Sequence, residues 1–196
     1  MTMTIGLLAF PDMEMLDYAG PYQVFASASS VAKENPEDPE LFHLVTIGET
    51  AGCVPVRAGA SLCVQYTLDD HPELSCLIIP GGMAGVDPAI DRGRIVPWLV
   101  DQATKVPVVA SVCTGAFLLA QSGLLHAMEA TTHHSRVDDL RYRFPSIDVI
   151  ESRRWVDSGR FVTSAGITAG IDMAIHLVER LASRDLAVAT ARRLEL

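Results

Sequence analysis

Among the residues able to do chemistry, Cys113 stands in the most informative setting. It sits in Ser111-Val112-Cys113-Thr114-Gly115, directly after the β-branched run Val106-Pro107-Val108-Val109. An apolar segment with helical spacing follows, at Ala116, Leu119 and Ala120. A strand that turns abruptly into a helix forms a nucleophile elbow, whose tight, strained backbone demands small residues two before and two after the nucleophile. Ser111 and Gly115 meet that demand. The following helix would aim its positive end at the sulfur, lowering the thiol pKa and favouring the thiolate. Cys53, Cys63 and Cys76 lack such a context and read as inert core cysteines.

A nucleophile needs donors and a proton partner. Pro80-Gly81-Gly82 follows the apolar run Cys76-Leu77-Ile78-Ile79, and the Gly82 and Thr114 backbone amides could together hold developing negative charge as an oxyanion hole. Asp17 is an acid among the apolar Leu16, Tyr18 and Ala19. Such surroundings raise a carboxyl pKa and keep the proton available for general acid work. Asp12 and Glu14 read instead as helix-start charges, as does Asp172. His133 and His134 could supply a base, although Thr131-Thr132-His133-His134 is also ordinary helix-start polarity. No third ligand stands at metal spacing, so no metal site or cofactor is expected. Gly166 to Gly170 lacks the Lys-Ser/Thr of a phosphate loop.

The elements that position these groups are legible in order. Residues 4–10 form a strand ended by Pro11-Asp12, and Pro21 opens a helix, in whose first turn a missing N–H is harmless. Residues 33–40, charged and with two prolines, form a surface loop; 42–47 form a strand, and 54–64, with Gly59 in the middle, a hairpin. Residues 76–79 and 106–109 are buried strands, and Ile95, Trp98, Leu99 and Ala103 mark the helix between them. A helix over 133–144 is followed by strands at 148–150, 154–156 and 161–163. The helix from Gly166 to Ala182 turns Ile171, Ile175, Val178 and Leu181 inward, and a last helix ends the chain. Strands alternating with helices, the central strands wholly apolar, make an α/β fold with a parallel sheet covered on both faces. Ligands bind such sheets at the carboxyl ends of the strands, near a switch point, where Gly81-Gly82 and Cys113 both lie.

The 196 residues form one expected domain, 1–196, with 49% hydrophobic residues and a mean hydropathy of +0.26. The chain stops at Ala191-Arg-Arg-Leu-Glu-Leu196 within a helical pattern, as a stand-alone protein with a short tail or a piece ending before a further domain. A net charge of −9 and a pI near 5.0 argue against non-specific nucleic-acid or anionic-membrane binding, leaving open a local basic patch at Arg136, Arg141 and Arg143. There is no CxxC pair, signal-peptide pattern or membrane-length apolar run, so a cytoplasmic protein with reduced thiols is expected.

Taken jointly, several blocks resemble the ThiJ/PfpI superfamily. They are Leu16-Asp17 with Gly20-Pro21, Ile79-Pro-Gly-Gly82, Ser111-Val-Cys-Thr-Gly115, Ala130-Thr-Thr-His133, and Thr163-Ser-Ala-Gly166 through Ala169-Gly-Ile-Asp172. They occur in the family's order, over residues 5 to about 185. The branch they resemble most holds isonitrile hydratase and the sensing domains of AraC-type regulators. The resemblance implies a flavodoxin-like doubly wound sandwich related to class I glutamine amidotransferases, and a homodimer. It places Cys113 at the elbow cysteine and Asp17 at the acid that hydrogen-bonds to it. Gly82 and Thr114 fall on the backbone donors, and His133 on a histidine seen near the thiol. Thr114 stands where protease-like members have His, which turns the expectation away from proteolysis; His134 stands where the branch commonly has Trp. The expected function is hydration of a small-molecule isonitrile to an N-substituted formamide. A ligand- or redox-sensing regulator domain and a glyoxalase- or deglycase-like enzyme are the alternatives.

Overall fold

The computed structural model describes residues 2–196. Eleven strands are assigned: β1 (Met3–Ala9), β2 (Phe42–Gly48), β3 (Gly52–Pro55), β4 (Ser61–Val64), β5 (Tyr66–Thr67), β6 (Cys76–Ile79), β7 (Val108–Val112), β8 (Glu129–Ala130), β9 (Asp148–Val149), β10 (Trp155–Ser158) and β11 (Phe161–Ser164). The helices are α1 (Met15–Ala32), α2 (Val86–Asp91), α3 (Ile95–Lys105), α4 (Ala116–Gln121), α5 (Val137–Arg143), α6 (Ala169–Leu181) and α7 (Arg184–Arg193). Seven strands form one sheet in the order β10-β11-β7-β6-β1-β2-β5, parallel throughout except for β10 against β11.

The centre of that sheet explains its sequence. Every residue of β6 and β7 is buried, because helices cover both faces, so these strands read as unbroken apolar runs. Helices α1, α6 and α7 pack on one another as one layer, and α2, α3 and α4 as the other. From β1 the chain goes first to β2 on one side and later to β6 on the other. The order therefore reverses between β1 and β6, which is the switch point of a flavodoxin-like sheet. The segments leaving β1, β6 and β7 at this end carry Asp17, Gly81-Gly82 and Cys113.

Several local expectations change. Helix α1 begins at Met15, so Pro21 lies inside it and not in its first turn. Pro21 has no N–H to donate to the Asp17 carbonyl, one turn back. The short helix α2 was not expected. The stretch from His133 to Phe144 divides into a 3-10 turn at His134–Arg136 and then α5. Helix α6 starts at Ala169, three residues later than expected, and its most buried face is Met173, Ala174, Leu177 and Val178. Ile171 instead meets α1, where a Cβ on Gly20 would lie 2.9 Å from it. Cys76 is buried as expected, but Cys53 and Cys63 are exposed, on the outer face of the β3–β4 hairpin. Arg136, Arg141 and Arg143 each meet carboxylates (Asp139, Asp138 with Glu151, and Asp87), so the basic patch is neutralised.

Candidate active site

Cys113 adopts φ +57°, a left-handed conformation that costs a non-glycine residue roughly 1–2 kcal/mol. It is held there from three sides. A Cβ on Gly115 would lie 2.4 Å from the Ile79 carbonyl, and one on Gly81 would lie 2.5 Å from the Thr114 nitrogen, so glycines let the β6 loop lie flat against the elbow. The buried Thr132 hydroxyl donates to the Cys113 carbonyl at 2.8 Å. The strained backbone at this strand-to-helix turn is thus fixed by its surroundings.

Asp17, fully buried in the first turn of α1, faces this elbow. Its Oδ2 accepts the Gly81 N–H at 3.1 Å, and Glu14 N–H donates to the Gly81 carbonyl at 2.8 Å, so α1 and the β6 loop are tied reciprocally. Oδ1 is buried without a hydrogen-bond partner. The Cys113 thiol lies near enough for the two groups to be electrostatically coupled, the Gly81 segment touching both: its N–H reaches Asp17, and a Cβ on Gly81 would lie 2.5 Å from the Thr114 nitrogen. Burial raises the Asp17 pKa from 3.8 to about 7, against the lowering effects of the Gly81 amide and the thiol; the Glu14 charge adds a smaller upward push.

The thiol is also pushed up, to about 12, first by burial (Cys113 is 3% exposed) and then by the Asp17 charge. This corrects the expectation of a lowered pKa. The loss of water around the buried sulfur outweighs the hydrogen bonds that favour its charged form. Thr114 works in the opposite direction, its amide and hydroxyl both favouring a charged sulfur. The Gly82 N–H donates to Thr114 Oγ1 at 2.8 Å. That hydrogen bond occupies the Gly82 amide and leaves the Thr114 hydroxyl hydrogen free to turn to the sulfur. Gly82 thus acts on the elbow through Thr114 and presents no free donor, unlike the oxyanion-hole arrangement expected for it. Its φ of +152° and its close approach to the Asp12 carbonyl both require glycine.

His133 is brought to the same place by a residue whose role here was not anticipated. A Cβ on Gly166 would lie 2.9 Å from Cys113 Sγ and 2.3 Å from His133 Cδ2, so imidazole and thiol flank one side-chain-free spot. Gly166 has ordinary backbone torsions, and space alone demands glycine there. The Ser135 N–H donates to His133 Nδ1 at 3.3 Å, which places the ring proton of the neutral imidazole on Nε2. Burial, and secondarily His134, lower the His133 pKa. The His134 ring packs tilted by 35° against His133, with centroids 4.4 Å apart, and His134 is itself exposed. Asp172, expected as a dipole residue, lies in the first turn of α6 and pairs with Arg154. Among the described residues no three His, Cys, Asp or Glu side chains gather as a metal site, and no helix is long and apolar enough to cross a membrane.

The arrangement offers one thiol, one carboxyl able to hold a proton near neutral pH, and an imidazole N–H, around a spot walled by glycine. Residues 3–180 match the model of the DJ-1/PfpI family. An isonitrile hydratase of Pseudomonas putida is 36% identical over 198 residues, covering 100% of this chain and 79% of that protein. The HTH-type transcriptional regulator GbdR of Pseudomonas aeruginosa is 26% identical over 95% of this chain, which spans 48% of the regulator's length. Among solved structures, a ThiJ/PfpI family protein from Pseudomonas syringae superposes with a TM-score of 0.87 at 26% identity, over 100% of this chain and 75% of that one.

Proposed function

The chain belongs to the DJ-1/PfpI family, and from that premise we propose that it hydrates isonitriles, R–N≡C, to N-substituted formamides. The observation that carries this reading is the burial of the Asp17 carboxyl and the Cys113 thiol on either side of the Gly81 segment, with Asp17 Oδ1 left unpartnered and the two groups electrostatically coupled. Hydration of an isonitrile adds a nucleophile and a proton to the same terminal carbon. A thiol and an acid that share a proton at one point can deliver both to one atom.

In the proposed sequence the Cys113 thiol passes its proton to the Asp17 carboxylate as the sulfur attacks the isonitrile carbon. Asp17 protonates that carbon, giving the thioimidate R–N=CH–S–Cys113. The Asp17 carboxylate then takes a proton from water as the oxygen adds to the same carbon, and passes that proton to the nitrogen. Collapse of R–NH–CH(OH)–S–Cys113 releases R–NH–CHO, and the hydroxyl proton returns to the Asp17–Cys113 pair, restoring its single proton. The Thr114 amide and hydroxyl hold charge on the departing sulfur. Gly82 orients that hydroxyl, and the His133 Nε2–H is placed to hold the substrate nitrogen. The reading carries with it a cytoplasmic protein without cofactor and a homodimer, whose assembly light scattering would test.

The test is conversion of a simple alkyl isonitrile, followed as formamide production. Cys113→Ala is expected to abolish turnover and Asp17→Asn to lower kcat by about 10²- to 10⁴-fold. Undiminished hydration by Cys113→Ala protein would overturn the mechanism. The similarity to a transcriptional regulator over 95% of the chain supports a second reading, a domain that binds a small ligand at Cys113 without turning it over. Tight binding of an isonitrile with no formamide formed would favour it. Turnover of methylglyoxal in place of the isonitrile would favour the glyoxalase-like alternative.

A further inference from the structure

The β3–β4 hairpin places two exposed cysteines opposite one another, Cys53 against Cys63. Their rung can be assigned. The Val56 N–H donates to the Ala60 carbonyl at 2.9 Å, and hydrogen-bonded and non-hydrogen-bonded pairs alternate along an antiparallel ladder. The next rung, Pro55–Ser61, is therefore non-bonded, as a proline without an N–H requires. Val54–Leu62 is bonded, and Cys53–Cys63 is again non-bonded. Non-bonded pairs bring their Cα atoms to about 4.5 Å with both side chains on one face. That lies within the roughly 4.4–6.8 Å over which a disulfide closes without backbone movement. The buried Val54 and Val64 hold the other face of the hairpin on the protein, so the two thiols cannot turn away from each other by a register slip.

We propose that Cys53 and Cys63 are a reversible redox modification site, closing an intramolecular cross-strand disulfide by exchange with a low-molecular-weight disulfide. One protein thiolate attacks the small disulfide, whose S–S bond breaks, and one small thiol leaves with the electron pair and takes up a proton. The second protein thiolate then attacks the mixed disulfide and expels the second small thiol. Two protein thiols are oxidised to one disulfide, and the small disulfide is reduced to two thiols. Cys53 opens onto a cleft of about 540 Å³ that Glu49, Arg92 and Arg94 also line, the arginines paired with Glu49 and Asp69, so a small disulfide such as oxidised glutathione has room to approach.

The hairpin braces the loop between β1 and α1. The Asp12 N–H donates to the Pro55 carbonyl at 3.0 Å, the Arg57 N–H to the Met13 carbonyl at 3.1 Å, and Arg57 pairs with Glu14 at 2.7 Å. The crosslink would stiffen that brace without touching the buried Cys113, and it stands independently of the hydratase reading.

The experiment incubates the wild-type protein with oxidised glutathione, blocks remaining thiols under denaturing conditions, digests without reductant and maps the peptides. The expected result is a peptide pair joined through Cys53 and Cys63, with both native-accessible thiols lost and restored by dithiothreitol. Cys53→Ser and Cys63→Ser should each retain one glutathione on the remaining exposed cysteine, since no second thiol expels it. Stable glutathione on both cysteines of the wild type, or a crosslink joining two copies of the chain on a non-reducing gel, would overturn the proposal.

Discussion

Replacing Asp17 by Asn tests the central electrostatic argument without any substrate. The carboxyl is fully buried, and its pKa rises from 3.8 to about 7 on folding, chiefly because burial penalises the charge. The sign follows directly. Below pH 3.8 the carboxyl is protonated in both states. As pH rises toward 7 the unfolded chain releases the proton and the folded one keeps it, so stability falls until the folded carboxyl also ionises. At about 1.4 kcal/mol per pKa unit, a rise of this size withdraws as much as about 4 kcal/mol between pH 4 and pH 8. Asn is nearly isosteric, can still accept the Gly81 N–H, and does not titrate. Urea unfolding of both proteins across that range isolates the effect, because uncoupled groups cancel in the difference and burial keeps the Cys113 thiol protonated up to pH 8. Asp17→Asn should gain stability over wild type progressively up to pH 7 and hold the gain above it. A difference independent of pH would show that Asp17 is not the buried, proton-retaining group described here.

Under the hydratase reading, kcat/KM should rise with pH through about 7, where the Asp17–Cys113 pair goes from two protons to one, and the rise should move to alkaline pH in Asp17→Asn. Gly166→Ala would put a methyl 2.9 Å from Cys113 Sγ. It is expected to lower kcat/KM by ~100-fold while leaving cooperative unfolding intact, since a displacement of about 1 Å at a reacting group has that effect. Thr132→Val removes the donor to the Cys113 carbonyl. It should destabilise the protein by about 1–3 kcal/mol in urea titration, the cost of an unsatisfied buried carbonyl.

The sheet and the elbow were legible because their signals are local. A parallel strand buried on both faces must be apolar at every position, and a small–x–Cys–x–Gly pattern after such a strand leaves few conformations. Asp17 was marked by its apolar neighbours. What was misread depended on contacts made at a distance. Nothing near Gly166 announces that its missing side chain makes room for Cys113 and His133, for its backbone is ordinary and its purpose steric. The start of α1 was hidden because Glu14 provides no side-chain cap and Pro21 suggested a first turn. The thiol pKa was misjudged because the helix end is visible in the pattern, whereas the depth of burial belongs to the whole fold. Cys53 and Cys63 were assigned to the core by residue type; their strands form a small separate hairpin whose outer face is uncovered.

The site is stitched from segments that run from Asp17 through Gly81 and Cys113 to Gly166, so its parts lie across most of the chain. None of these pieces can assemble locally, and the strands that carry them pair only over long sequence separations. Such topology makes folding slow relative to helical proteins of similar size. The segment bearing Gly166 is also among the later parts to leave the ribosome. The meeting of Asp17 with Cys113 therefore requires β1, β6 and β7 to have paired, and the seat of His133 beside the thiol also requires the segment that follows β11.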